Sequence, residues 1–378
     1  MKILILEPFY TGSHKLWADG LKQHSAHEIE LLTLPARYWK WRMHGAALTL
    51  GREFLEQNLT PDLILASDML DLTSFQSITR KVTHDIPCFT YFHENQLTYP
   101  WSPDDRSMQH GVNYHYGFIN FTSAVVADKV YFNSEYHRQE FISALTPFLK
   151  SFRDYHELSL VKTIEEKSGV LPVGLDLVKL HAGKQRGLDL KEKISGRGPL
   201  ILWNHRWEHD KNPLGFIELI NRLLTLNLDF QLAVLGDQPG NETEEVKAFR
   251  KKLGSKIVHW GFVENRSDYI SWLWAADIIP LTSIHDFFGI SVIEAVYCNT
   301  YPILPSRLSY PEIFAGDIFA DCFYQTEEEL YEKTKAVLFS APDFNYDQSS
   351  KLLNRYDIKE VVKLYDEEIN HGAIEDLK

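Results

Sequence analysis

Apolar residues along the chain fall into short, dense runs separated by polar stretches. The first half carries KILILEPF (2–9), IELLTLP (29–35), DLILAS (62–67), PCFTYFHE (87–94), VADKVYFNS (126–134) and SGVLPVG (168–174). The second carries PLILWNH (199–205), FQLAVLGD (230–237), KIVHWGF (256–262), ADIIPLTS (276–283), TYPILPS (300–306) and DIFADCFY (317–324). Most are continuously apolar rather than alternating, as expected of parallel strands covered on both faces. Helical spacing fills the intervals, for instance at 14–24, 212–227, 243–253 and 289–298. Alternating β and α elements predict an α/β, doubly wound fold. The two sets of runs predict two such domains, each with its own sheet.

The break falls near LPVGLD (171–176), where a strand ends in Gly174 and a polar region begins. This sets an N-terminal Rossmann-like domain at 1–175 and a second at 176–345. The stretch DIKEVVKLYDEEI has helical spacing, and the segment 346–378 is expected to pack back across the domains. Residues 147–168, of mixed charge, read as an insertion. Residues 181–199, rich in Gly, Lys and Arg, read as a mobile loop before the second sheet.

Length supports two domains, since 378 residues are many for a single core. The opening MKILILEPFY has an apolar run ending at Glu7, too short for a signal segment, and no apolar stretch approaches membrane-spanning length. The cysteines, Cys88, Cys298 and Cys322, are too scattered for a disulfide framework or a zinc site. A cytoplasmic location and no membrane partner are therefore expected. The formal charge of -13 disfavours diffuse binding of polyanions. Against it stands a local exception in LPARYWKWRMHG (34–45), where Arg37, Lys40 and Arg42 interleave with Tyr38, Trp39 and Trp41. No acid occurs between Glu30 and Glu53. Such an island offers stacking faces and phosphate contacts to RNA. It also fits buried aromatics with cations reaching past them to water.

In a doubly wound sheet, ligands gather at the carboxyl ends of strands and at helix N-termini. After the first strand comes FYTGSHKLW, where Gly12 permits close backbone approach, Ser13 is a candidate helix cap and His14 lies in the first turn. The spacing is not that of a dinucleotide loop. YFHENQLTYP (91–100) clusters His93, Glu94, Asn95 and Gln96 at another strand end. ILWNHRWEHDKNP (201–213) places Arg206 and Lys211 where two cations suit a diphosphate. SIHDFFGISVIEA (283–295) carries Asp286 and Glu294 around a turn through Phe287 and Gly289. The backbone N–H groups of Phe288, Gly289 and Ile290 can face an anion or sugar oxygen there. Any one of these groups also fits an ordinary polar surface.

Taken together, Gly12, the pair Arg206 and Lys211, and Asp286 seven intervening residues before Glu294 resemble a retaining GT-B glycosyltransferase of the family-4 type. The first acid is Asp rather than the Glu of that pattern, which shortens its reach by one methylene. FYTGSHKLW, LPARYWKWRMHGAAL, YFHENQLTYP, LWNHRWEHDKNP, LGSKIVHWGF, FFGISVIEAVYCNTYP and YPEIF, lying in order between residues 9 and 314, are similar to the tRNA-queuosine α-mannosyltransferase family. That resemblance implies two Rossmann-like domains facing a central cleft. The first would bind the acceptor and the second a nucleotide sugar. It implies mannose transfer from GDP-mannose to the cyclopentene-diol of queuosine in the anticodon loop of tRNA-Asp, with retention of configuration. His93, Arg206, Lys211 and Asp286 would then be catalytic. Gly12, Ser13, Arg206, Lys211, Asp286, Phe287, Phe288, Gly289, Ile290 and Glu294 would hold the donor. Arg37, Tyr38, Trp39, Lys40, Trp41, Arg42, Asn95 and Gln96 would meet the acceptor. No D-x-D sequence occurs, so neither a divalent metal nor any other cofactor is expected. Two alternatives stay open: a GT-B enzyme acting on a glycolipid or polysaccharide, and a non-catalytic nucleotide-binding module.

Overall fold

The computed structural model describes residues 1–101, 114–226, 228–236 and 242–375; Asp237, which closes one of the apolar runs, and the last residues of 346–378 lie outside them. Its strands form two six-stranded sheets in which every pairing is parallel. The first contains β1 (Lys2–Tyr10), β2 (Glu28–Pro35), β3 (Leu63–Ser67), β4 (Cys88–Phe92), β5 (Lys129–Phe132) and β6 (Ser168–Val170). Their order is β2-β1-β3-β4-β5-β6. The second contains β7 (Leu200–Trp203), β8 (Gln231–Val234), β9 (Ile257–Trp260), β10 (Ile278–Pro280), β11 (Tyr301–Pro305) and β12 (Phe323–Tyr324), in the order β12-β11-β10-β7-β8-β9. The described part of every strand lies within, or overlaps by all but a residue or two, one of the apolar runs. β3, β4, β7 and β8 are buried at every position, as strands covered on both faces must be.

Helices cover the sheets through their apolar stripes. In the first unit Leu50 and Phe54 of helix Trp39–Glu56 meet Phe75 of helix Leu72–Thr83 in one core, with Phe141 and Leu145 of helix Glu135–Lys150 in the same cluster. Local chemistry sets the helix starts. Asp71, Ser134, Asn212, Thr243, Asn265 and Thr326 each accept a backbone N–H of the first turn they precede.

The chain separates into two compact units, 1–175 with 356–378, and 176–355. Helix Tyr346–Leu353 stays with the second unit, whereas helix Ile358–Glu375 lies against helix Gly12–His24 of the first. Trp17 donates from Nε1 to the Tyr365 hydroxyl at 3.0 Å, and Asp366 accepts from Ser25 Oγ at 2.5 Å and Ala26 N at 2.8 Å.

Two expectations are corrected. Residues 181–199 are not a mobile loop, because helices Leu177–Ala182 and Lys184–Ile194 occupy most of the segment. Gly187 supplies the reason: a Cβ there would lie 2.2 Å from Trp274 Cβ, so its absence lets helix Lys184–Ile194 seat on helix Arg266–Ala275. The lysines that suggested a loop are the solvated face, and one of them, Lys191, pairs with Asp277 at 2.6 Å. Residues 147–168 are not an insertion either. They complete helix Glu135–Lys150, form helix Ser159–Glu166 with Ile164 buried, and reach edge strand β6. Their mixed charge is the exposed side of a crossover.

Candidate active site

Each sheet reverses its winding once, between β1 and β3 in the first unit and between β7 and β10 in the second. Such switch points leave a crevice at the strands' carboxyl ends. The chemistry of both units collects there.

In the second unit the chain leaves β7 through a short turn, His209–Lys211, and Asn212 caps helix Pro213–Leu224 in a left-handed conformation. Lys211, with its side chain 14% exposed, sits 3.1 Å from Asp210 Oδ2 and 3.1 Å from Asp286 Oδ2, and donates to His285 O at 3.2 Å. Thr282 binds the carbonyls of Lys211 and Asn212 at 3.0 Å each, fastening the loop after β10 to the loop after β7. Asp286 also accepts from the Tyr310 hydroxyl at 3.0 Å. Burial works against the Asp286 charge, but Lys211, then His205 and the hydrogen bonds from Lys211 and Tyr310, hold its carboxyl below the usual range. Burial likewise opposes the Lys211 charge, and Asp286 with Asp210 outweighs it and raises the ammonium. His205 is buried within their field; burial first, then Lys211, push it down to about 4, so it is neutral at physiological pH.

Gly289 takes φ +78°, which only glycine adopts freely, and opens helix Ile290–Tyr297. Phe288 N lies 3.4 Å from Asp286 Oδ1, so that amide leans on the acid two residues before it. The rings of Phe287 and Phe288 are buried, leaving backbone as their offering to a ligand. Glu294 is buried as well. Its carboxylate is gripped by both terminal nitrogens of Arg266 and by the Tyr269 hydroxyl at 3.2 Å, and Asn204 ties Tyr269 to Ser291 O. Sequence reasoning missed Arg266, Tyr269, Tyr310 and His205. One signal was available: Arg266 is a cation in the first turn of a helix, where the dipole disfavours it unless an acid compensates. Arg206 does not join this buried cluster. It is 59% exposed and pairs with Glu208 at 3.1 Å.

In the first unit Gly12, at φ +49°, starts helix Gly12–His24. Ser13 lies inside the first turn and caps nothing; the cap position belongs to Thr11, which makes no side-chain bond. His14 Nδ1 is 3.0 Å from Glu7 Oε2, and its ring lies 4.0 Å from the ring of His93. His93 is 7% exposed, donates its backbone N–H to Asp68 Oδ1 at 2.9 Å, and among the described residues finds no hydrogen-bond partner for either ring nitrogen. Glu7, His14 and His93 have ligand atoms within 4.8 Å of one another, a set with the donor types that a divalent cation takes. Asn95 and Gln96 do not present their side chains to an acceptor base. Asn95 is fully buried and its amide closes a local turn on Leu97, Thr98 and the Thr98 hydroxyl, while Gln96 donates to Glu94.

The basic aromatic island opens helix Trp39–Glu56, with Tyr38 as a left-handed cap. Tyr38 is 81% exposed and Trp41 64% exposed. Trp39 instead packs beside Trp101 and Tyr116, and Lys40 Nζ sits 5.2 Å from the Trp101 ring. Arg42 gives Nε and Nη2 to Pro35 O at 3.1 and 3.0 Å, which makes it a clamp between β2 and the helix. Two stacked imidazoles adjoin the island, His44 and His115, with nitrogens 3.0 Å apart. Among the described residues no helix is long and apolar enough to cross a membrane.

Paired six-stranded Rossmann-like units with acid and cation clusters at the second switch point define a GT-B glycosyltransferase. Solved structures agree on the fold. Anabaena HepE in complex with UDP and glucose superposes with a TM-score of 0.69 at 16% identity, over 98% of this chain and 100% of that one. A UDP-forming α,α-trehalose-phosphate synthase from Burkholderia xenovorans gives 0.68 at 10%, over 98% and 100%. Residues 188–337 match the family described as glycosyl transferases group 1, and residues 2–175 match the one described as tRNA-queuosine alpha-mannosyltransferase N-terminal. The Drosophila melanogaster tRNA-queuosine alpha-mannosyltransferase is 32% identical over 96% of this chain and 95% of its own. A GDP-mannose-dependent alpha-(1-6)-phosphatidylinositol dimannoside mannosyltransferase of Mycobacterium tuberculosis is 23% identical over 76% of this chain and 68% of its own. The chain belongs to the tRNA-queuosine alpha-mannosyltransferase family, and it is a hexosyltransferase.

Proposed function

We propose that this enzyme transfers mannose from GDP-mannose to the cyclopentene-diol of queuosine in the anticodon loop of tRNA-Asp, in the cytoplasm and with retention at the anomeric carbon. The observation that carries the donor half is the buried Lys211–Asp286–Tyr310 cluster at the second switch point. All three Lys211 donors are occupied, by Asp210, Asp286 and His285 O. An arriving diphosphate therefore displaces one of them. Exchange with Asp286 would turn Lys211 toward phosphate and release Asp286 to a sugar hydroxyl, joining the two recognitions in one movement. Arg206, exposed in the same loop after β7, would close on the same diphosphate. The backbone amides of Gly289 and Ile290 would add donors, and Glu294, oriented by Arg266, would accept from the ribose diol. The bond from the anomeric carbon to the diphosphate breaks, the acceptor oxygen bonds to that carbon from the same face, and the acceptor proton passes to the departing phosphate oxygen. Fixed cations stabilise the charge that develops there.

The test is incubation with radiolabelled GDP-mannose and tRNA, with and without queuosine. Label entering only the queuosine-containing tRNA is the expected result. Label entering lipid instead would support the glycolipid reading, and no turnover of any nucleotide sugar would leave a binding module.

Two further outcomes follow from the site. Transfer should survive EDTA, since lysine and arginine supply the charge that a bridging metal would otherwise carry. Loss on chelation with recovery on Mg²⁺ or Mn²⁺ would refute that assignment. At the island, Tyr38→Ala with Trp41→Ala should weaken tRNA binding by about 1–3 kcal/mol for each base that stacks. Both rings are exposed, so the fold should hold, and the KM for GDP-mannose should stay near wild type. Unchanged tRNA affinity in a folded double variant would move the acceptor elsewhere.

A further inference from the structure

We propose that Glu7 and His14 are positioning residues for His93: their buried ion pair fixes a cation against the His93 ring and so keeps His93 an uncharged group able both to donate and to accept. The proposal builds on the glycosyl-transfer reading, in which the family resemblance implies a catalytic role for His93.

The geometry leaves little alternative for the pair. Glu7 is fully buried in the second half of β1, and a buried carboxylate without a partner is strongly destabilising. Its Oε1 accepts from Phe9 N at 2.7 Å and its Oε2 meets His14 Nδ1 at 3.0 Å. Burial opposes charge on His14, yet the field and hydrogen bond of Glu7, helped by Asp68 and Glu94, raise it to about 9. His14 is thus an imidazolium at neutral pH. Its ring lies 4.0 Å from that of His93, tilted by 33°. Two imidazolium rings that close repel each other, so one charge excludes the other. Burial first, then His14 and His137, push His93 well below its ordinary range.

The remaining surroundings hold the His93 ring without consuming its nitrogens. Trp17 and Tyr91 meet it edge-on at 5.0 and 4.8 Å. Asn133 Nδ2 donates to His93 O, and Asp68 accepts from His93 N, so backbone anchors the residue while both ring nitrogens stay unpaired among the described residues. The titratable groups facing it are Glu7 from β1, His14 from helix Gly12–His24, Asp68 after β3, Tyr91 on β4, the adjacent Glu94, and His137 from helix Glu135–Lys150. Burial pushes the Asp68 carboxyl well up and the His14 charge pulls against it, so Asp68 is tied to the same pair. A neutral imidazole carries one donor and one acceptor, whereas the imidazolium only donates. Neutral His93 can therefore accept from a hydroxyl and donate to an oxygen in the same site.

Sign follows from the raised His14. Its contribution to stability is complete below about 6.5, the unfolded value, and is lost as pH rises through about 9.

The experiment is a titration of ring-¹⁵N-labelled protein by NMR from acid to alkaline pH, on wild type, His14→Gln and Glu7→Gln. In wild type, one histidine should lose its proton near pH 9, and His93 should stay neutral well below the ordinary histidine range. In either variant the alkaline step should vanish, and His93 should take up its proton at a higher pH once the neighbouring charge is gone. The acid limb of kcat/KM should move by the same amount, with the KM for GDP-mannose unchanged. An unmoved His93 titration in a variant with native circular dichroism would overturn the proposal. So would a moved titration with an unmoved rate profile. Should both variants fail to fold, the wild-type spectrum decides alone: a neutral His14 at pH 7.5 overturns the pair. Stoichiometric metal in the purified protein would do the same, by making Glu7, His14 and His93 a ligand set. Because the titration needs no substrate, failure of the mannose-transfer reading would appear separately, as absent turnover with the coupling intact.

Discussion

Lys211→Met should reduce kcat/KM for mannosyl transfer by at least about a hundredfold. Removing one preorganised group that stabilises transition-state charge costs about 3–4 kcal/mol, and each 1.4 kcal/mol is about tenfold in rate. A second effect adds to the first. Lys211 lies between Asp210 and Asp286, both largely buried, and the variant leaves two carboxylates facing each other without a cation. Breaking a buried pair in this way destabilises by about 3–5 kcal/mol. The two contributions separate by pH. In the wild type Asp286 is held below its ordinary value of 3.8, so its stabilisation is present above that pH and is lost as pH falls through the lowered value. Without Lys211, burial dominates and raises the carboxyl, so acid unfolding of the variant should begin at a higher pH. Thermal melts between pH 4 and 8 report that shift, and single-turnover rates at the pH of best stability report the catalytic loss. Near-normal turnover in Lys211→Met would remove its diphosphate role.

The second large effect concerns Gly236, where β8 ends beside the exit of β7. A Cβ there would lie 1.6 Å from His205 O and 2.5 Å from His205 C. Both obstacles are backbone, and Leu235 N is bonded to Trp203 O at 2.8 Å, so neither chain can draw aside without opening the sheet. Gly236→Ala should therefore destabilise the second unit by about 3 kcal/mol or more, at the upper end for overpacking. For a unit of this size that lowers Tm by roughly 6–12 °C. It should also weaken donor binding, because relief would displace the segment carrying His205 and Arg206. Gly12→Ala is the contrast. Nothing lies within 4 Å of a Cβ at Gly12, so the change meets only the strain of its left-handed backbone, roughly 1–2 kcal/mol. Equal melting temperatures for the two variants would contradict the steric account.

Much of the architecture is local and could be read before any coordinates. Doubly covered parallel strands must be apolar at consecutive positions, and that requirement marks the runs at 2–9, 62–67, 199–205 and 230–237 independently of their neighbours. The glycine turn before helix Ile290–Tyr297 and the cations after β7 are equally local, so Gly289, Arg206 and Lys211 announced themselves. Misreadings arose where a polar composition looked like loop. At 181–199 the deciding fact was the close approach of Trp274 to Gly187, which no local pattern contains. The island shows the same limit at side-chain scale. Alternation marked both aromatics and cations, but only the neighbouring Trp101 and Tyr116 decide that Trp39 is packed while Tyr38 and Trp41 face solvent. Which acid meets which base across each sheet was decided by strand order. Placing β10 next to β7 brings Asp286 to Lys211, and placing β3 next to β1 brings Asp68 to the Glu7–His14 pair. Strand order results from the whole sheet minimising exposed apolar surface, a property distributed over the chain. Candidate residues could thus be marked in sequence, whereas the partners that hold Lys211, Asp286 and Glu294 came only from the tertiary structure.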